Sequence, residues 1–221
     1  MATFTNRITD LIGSDYTSIA SNSVDDLFNS AANEVADMLP SELLLKYVHY
    51  KTNITAAGMD APEEKKVLLV TREIADAGTE VRECKPVPYH EFLRAQNSAS
   101  IYFATIESPV YAYDIQTAVD PKIKIFPVPT DDQIGTVWHF NYLTGSNTGN
   151  SNIDGLPDSC LQAVVIKACI GILHTFVSDF VQDEEDAEMQ GMLMNQIAAL
   201  QARYQEEMLR FSEPDASPRG E

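Results

Sequence analysis

The stretch Leu161-Gln162-Ala163-Val164-Val165-Ile166-Lys167-Ala168-Cys169-Ile170-Gly171-Ile172-Leu173-His174-Thr175-Phe176-Val177 sets the terms for the rest of the chain. Wound as a helix, it carries apolar side chains on nearly every side, which calls for burial on most faces, within the fold or between subunits. Pro157 stands just upstream, where the missing N–H and fixed φ of a proline suit a first helical turn. Phe180 and Val181 close the helix. Large side chains such as Ile166, Ile172 and Phe176 each contribute roughly 1.5–3 kcal/mol when buried, so the helix reads as a scaffold. The segment holds Gln162, Lys167 and His174 and is short for a bilayer span, so a buried soluble helix is expected.

Gln182-Asp183-Glu184-Glu185-Asp186 forms an acidic elbow that opens a second helix, with acids where the macrodipole favours them. Met189, Leu193, Ile197, Leu200, Tyr204, Met208 and Phe211 follow steps of three and four along it. Near the other end of the chain, Ser23-Val24-Asp25-Asp26 resembles a capping start. The helix it opens shows Leu27, Phe28, Ala31, Val35, Met38 and Leu39, and Pro40 ends it. Ile8, Leu11 and Ile12 suit a short helix or a docking arm, with a break at Gly13-Ser14-Asp15. Ser41-Glu42 starts another short helix, before a turn-rich region from Asn53 to Pro62.

The middle of the chain changes character. Val67–Ile74 and Glu80–Lys85 flank Asp76-Ala77-Gly78 and read as a hairpin. Tyr89–Ala95 reads as one or two helical turns after Pro88. Ser108–Tyr113, Lys122–Pro127 and Gly135–Tyr142 are strand candidates, and Ile101-Tyr102-Phe103 is a shorter one. Together they suggest an antiparallel sheet.

The fold expected is therefore α+β, mainly α: a helical bundle from both chain ends with an inserted antiparallel β region. Residues 1–64 supply N-terminal helices, 65–150 the β-rich insertion, 151–211 the C-terminal helical hairpin, and 212–221 a flexible tail.

Composition narrows function. The apolar share of 44% and charged share of 22% are those of a folded chain, and the net charge of −18 opposes sequence-independent gripping of DNA, RNA or anionic membranes. Cys84, Cys160 and Cys169 form no CxxC pair, and the N-terminus lacks the apolar run of a signal peptide, so a reducing cytoplasm is expected. His49, His90, His139 and His174 are dispersed in sequence, and no P-loop, dinucleotide fingerprint, nucleophile elbow or HExxH is present. A carboxylate–metal enzyme using Asp183–Asp186 with His174 or His90 is a weak alternative, because consecutive carboxylates diverge around a helix. Met189, Met192, Met194 and Met208 suit adaptable packing. No catalysis, cofactor or metal is expected.

One combination carries a resemblance. Ser108-Pro109-Val110-Tyr111-Ala112-Tyr113 and Lys122-Ile123-Lys124-Ile125-Phe126-Pro127-Val128-Pro129-Thr130 precede a strand ending in Phe140-Asn141-Tyr142. Leu156-Pro157-Asp158, the apolar helix, the acidic elbow and the Leu200–Tyr204–Met208 helix follow. With the Leu27–Leu39 helix before Pro40-Ser41, the chain resembles virion structural proteins of tailed bacteriophages, above all head-to-tail connector (adaptor) proteins of the neck.

That resemblance implies a homo-oligomeric ring, usually twelvefold, beneath the portal protein and above the next neck or tail protein. It would be made in the host bacterial cytoplasm and reside in the virion, with DNA passing through the channel without specific binding and no membrane involved. The subunit or portal interface is then expected at Val165, Ile172, Phe176, Phe180 and Phe211, with Glu213 and Asp215 in a portal-docking tail. A stopper or other tail-interface ring, and a cytoplasmic oligomeric binding module, are the alternative readings.

Overall fold

The computed structural model describes residues 2–13, 21–55, 58–60, 65–74, 80–114, 121–130, 132–183 and 187–212. Two compact units divide the chain: Met1–Tyr47 with Tyr142–Glu221, and Val48–Asn141.

Unit 1 is helical. Going from the N-terminus, it contains α1 (Phe4–Ile12), α2 (Ser21–Met38) and α3 (Ser41–Leu45), and after the second unit α5 (Leu161–Asp183) and α6 (Ala187–Ser212). The Thr3 hydroxyl caps α1 by accepting from the Asn6 N–H, and Phe4, Ile8 and Ile12 form its buried stripe. A 3-10 turn, Asp158–Cys160, leads into α5. Helices α1, α2 and α6 all pack on α5. Val164, Val165, Ile166, Ile172 and Leu173 are completely covered there. The Phe4 and Phe28 rings meet at 4.6 Å beside this core. By length and composition alone the span Asp158–Ser178 would suffice to cross a membrane, and 61% of its apolar window is buried inside the protein.

Unit 2 holds β1 (Lys51–Ile54), β2 (Met59–Asp60), β3 (Lys65–Glu73), β4 (Val81–Glu83) and β5 (Lys85–Pro86). Helix α4 (Tyr89–Ala95) follows, then β6 (Val110–Asp114), β7 (Lys122–Phe126) and β8 (Gly135–Asn141). One sheet has the order β1-β8-β3-β4 and the other β2-β7-β6-β5. Ile54, Val70 and Val137 from the first sheet share a core with Ile123 and Ile125 from the second, with Cys84 beside them. Phe92 and Ala95 of α4 make a separate cluster with Ala104, Val110 and Ala112. Gly135 stands where β8 is crowded: a Cβ there would lie 2.7 Å from Ile125 and 3.3 Å from Ile54.

The expectation of a mainly helical bundle with an inserted β region is corrected. The chain is 47% helical and 22% strand, and its two multi-strand sheets form a sizeable core of their own. Part of the extra β structure comes from short strands. β1 and β2 lie in or beside the stretch read as turns, and β5 is two residues long; runs of two to four residues carry no usable period. The β region is also not a single antiparallel sheet, since β5 pairs with β6 in parallel. Ile101-Tyr102-Phe103 forms turns rather than a strand. Ser14–Asp15, Asp76–Gly78, Glu184–Asp186 and the tail beyond Ser212 lie outside the described residues.

Candidate interaction surfaces

Apolar side chains left on the surface are the first feature that needs explaining. In unit 1, Met38 and Pro40 at the end of α2 face Tyr204, Met208, Leu209 and Phe211 of α6 across an open groove of about 610 Å³. Helix α6 turns Leu193, Ile197 and Leu200 into the core, which leaves Met189, Met192 and Met194 outside, with Met192 68% exposed. Tyr204 anchors the groove floor: its hydroxyl donates to Met38 Sδ at 3.5 Å, and the Lys167 ammonium lies 5.3 Å from its ring centre. Burial, with the Glu34 charge adding, pushes the Tyr204 hydroxyl up to about 12, so it stays protonated. Lys167 in turn donates to Glu34 at 2.6 Å, which ties α5 to α2.

Unit 2 carries a projecting feature. Between α4 and β6, Ile101 is 92% exposed, and Tyr102, Phe103 and Ile106 are partly exposed. Local bonds shape this tip. The amides of Ala99 and Tyr102 donate to Asn97 Oδ1 and Ser100 Oγ, and those of Ser100, Phe103 and Ala104 to the carbonyls of Asn97, Ser100 and Ala95. Phe103 also meets the Phe126 ring edge-on at 6.0 Å.

Polar order in unit 1 comes from a ladder along α2. Asp25, Asn29, Asn33 and Asp37, spaced four apart on one helix face, grip residues 142–148 in succession. Asp37 accepts from the Tyr142 hydroxyl at 2.6 Å, and Asn33 exchanges bonds with both the N–H and the carbonyl of Leu143. Asn29 donates to the Gly145 carbonyl at 2.7 Å, and Asp25 accepts from the Asn147 and Thr148 amides. Gly145 sits at φ +75°, a conformation that favours glycine. Burial would raise the Asp25 carboxyl, but bonds from Thr148, Ser146 and Asn147 outweigh it and hold the group below its ordinary 3.8. A polar cleft of about 560 Å³ runs beside this ladder. Among its acids, Glu34 is bonded to Lys167 and Asp37 to Tyr142.

Unit 2 buries three polar side chains among the described residues: Arg72, His139 and Asp114, the last accepting from Lys124 at 2.6 Å. Arg72 donates to the carbonyls of Pro127, Glu73 and Val128 and to Gln133 Oε1, at 2.9–3.3 Å, fixing the turn before β8. His139 is buried, stacks on Tyr50, and has Nε2 2.9 Å from the Thr52 hydroxyl. Burial, aided by the Lys65 charge, holds its imidazole below the usual 6.5.

The residues expected at an interface fall into three groups. Val165 and Ile172 are buried within unit 1, packed by its own helices. Phe176 and Phe211 are half-buried, and Phe211 lines the groove. Glu213 and Asp215, and the side chain of Phe180, lie outside what is described. His90 and His174 are both exposed, and among the described residues no three His, Cys, Asp or Glu side chains cluster as a metal site would require. Met189, placed by spacing in the inward stripe of α6, is exposed. The α2 ladder was missed, although its four-residue spacing of Asp and Asn was visible in the sequence. No family model matches the chain, and no curated protein matches it.

Proposed function

We propose that this chain is a structural virion protein of a tailed bacteriophage, a head-to-tail adaptor in the neck that forms a ring beneath the portal and continues the DNA channel. The observation that supports the reading best is the pairing of open apolar surfaces with strong negative charge. The groove and the Met192 face of α6, and the Ile101 tip of unit 2, offer contact area for protein neighbours. The charge of −18 makes the same chain a poor holder of phosphate, as suits a conduit for DNA. The resemblance in the order of elements supplies the phage context.

Antibody against the chain, visualised with gold on intact particles of the phage that encodes it, is the test of place. Label confined to the junction of head and tail is expected. Label on the capsid shell, on tail fibres, or on no particle at all would overturn the reading.

A further inference from the structure

We propose that β1 is an acid-released latch: protonation of His139 frees residues 50–52, at the leading end of this strand, from β8 while the rest of unit 2 stays folded.

The order β1-β8-β3-β4 leaves β1 at the edge of its sheet, with a strand partner on one side alone. Alternation turns Thr52 and Ile54 inward and leaves Lys51 and Asn53 exposed. Ile54 pins the far end of β1 in the core between the two sheets. The leading end leans on one residue of β8. The Tyr50 ring stacks on His139 at 6.3 Å and 10°, and the Thr52 hydroxyl lies 2.9 Å from its Nε2. The His139 N–H also donates to the Tyr50 carbonyl at 3.2 Å. Three contacts thus run through His139; a fourth, the Lys51 ammonium 5.9 Å from the Trp138 ring, is on the solvent side.

A neutral imidazole suits this place. The Thr52 hydroxyl can donate or accept, so it satisfies Nε2 in either tautomer. An imidazolium does not suit it. From β3, Val67 stands opposite His139 and Lys65 brings positive charge; from β1 come the Tyr50 ring and the Thr52 hydroxyl. Among the described residues no carboxylate lies within ion-pair distance of the ring. His139 Nδ1 and Asn141 Oδ1 are both buried without a hydrogen-bond partner among the described residues. Asn141 can accept from a protonated ring, which offsets part of the cost, but burial and the Lys65 charge outweigh it.

Opening the leading end returns the ring to water, where it titrates near its ordinary 6.5. Acid therefore favours opening. The advantage of the closed state is complete above 6.5 and shrinks as pH falls toward the lower closed value. One proton changes the opening equilibrium by at most about tenfold per pH unit. Release bares part of the β8 edge, whose backbone groups are then free to pair with another strand.

The test is hydrogen exchange read amide by amide from about pH 7.5 to about 5.5, corrected for the intrinsic rate at each pH. The His139 amide reports the latch, because its bond to the Tyr50 carbonyl breaks on opening. The Cys84 amide, bonded to the Val70 carbonyl at 2.8 Å, reports the rest of the unit. Opening at His139 is expected to rise by up to about tenfold per pH unit below 6.5 while Cys84 holds steady. His139→Gln should abolish the rise. Lys65→Gln should shrink it, since losing that charge lifts the closed value, an effect that a merely structural role would not produce. A flat response in wild type, or an equal rise at Cys84, overturns the latch. So does a rise that His139→Gln keeps or Lys65→Gln leaves undiminished; should His139→Gln fail to fold, Lys65→Gln decides alone.

Discussion

In unit 1 one helix supplies most of the core: α5 offers Val164, Val165 and Ile166 and, two turns on, Ile172 and Leu173, and three helices close around it. In unit 2 the two-sheet core is gathered from single positions, Ile54, Val70, Val137, Ile123 and Ile125, each on a strand whose neighbours point elsewhere. The polar interior differs in the same sense. Unit 1 spreads its hydrogen bonds over four rungs of α2 that run from part-buried to exposed, while in unit 2 the buried Arg72 alone makes four, beside His139 and the pair of buried Asp114 with Lys124. A distributed arrangement should lose stability by steps, and a concentrated one in a single blow.

Emptying each centre is the sharpest way to break that comparison. Phe28→Ala removes a fully buried ring against Phe4 and should destabilise unit 1 by ~3–5 kcal/mol. Hydrogen exchange should quicken in α5 and leave β8 protected; equal loss in both would mean that the units do not differ in this way. Arg72→Ala strands four acceptors and should cost unit 2 about 3 kcal/mol or more. Exchange should then quicken in β3 and β8 while α5 stays slow.

A single rung should matter less. Asn33→Ala takes two bonds from Leu143 and is expected to cost ~1–2 kcal/mol, read as faster exchange at residues 142–148 with the remaining rungs intact. Loss of the whole unit would contradict the distributed picture.

Acid separates the units more gently. His139 has a folded pKa below 6.5, so its stabilising contribution is complete above 6.5 and fades as pH falls toward that lower folded value. One proton sets a slope of at most about 1.4 kcal/mol per pH unit. Asp25 is depressed from 3.8, so its contribution is complete above 3.8 and is lost as pH falls through the folded value. Unit 2 should therefore loosen first on acidification, and His139→Gln should remove that early step. Simultaneous loosening of both units would count against it.

The same contrast explains what could be read from sequence. α5 and α2 were legible because long apolar periodicity survives without tertiary context, and β7 and β8 because they alternate. β2 and β5 were not, since two residues carry no period and are strands only by virtue of their neighbours. Ile101-Tyr102-Phe103 misled for the opposite reason: its composition is that of a buried strand, and only the fold shows it projecting from a turn. Val165 and Ile172, buried by helices of their own chain, look like surplus surface in the sequence, because a helix greasy on all sides does not reveal how many neighbours its own chain provides. The groove was illegible, because it joins Met38 to Leu209 across more than half the chain.

Light scattering of the purified chain over a wide concentration range, with electron images of the same samples, tests most directly whether this is a self-assembling protein. A rise from one subunit to a single closed species, seen as rings of uniform diameter, is expected. A mass of one subunit at every concentration, with no rings in the images, would contradict it.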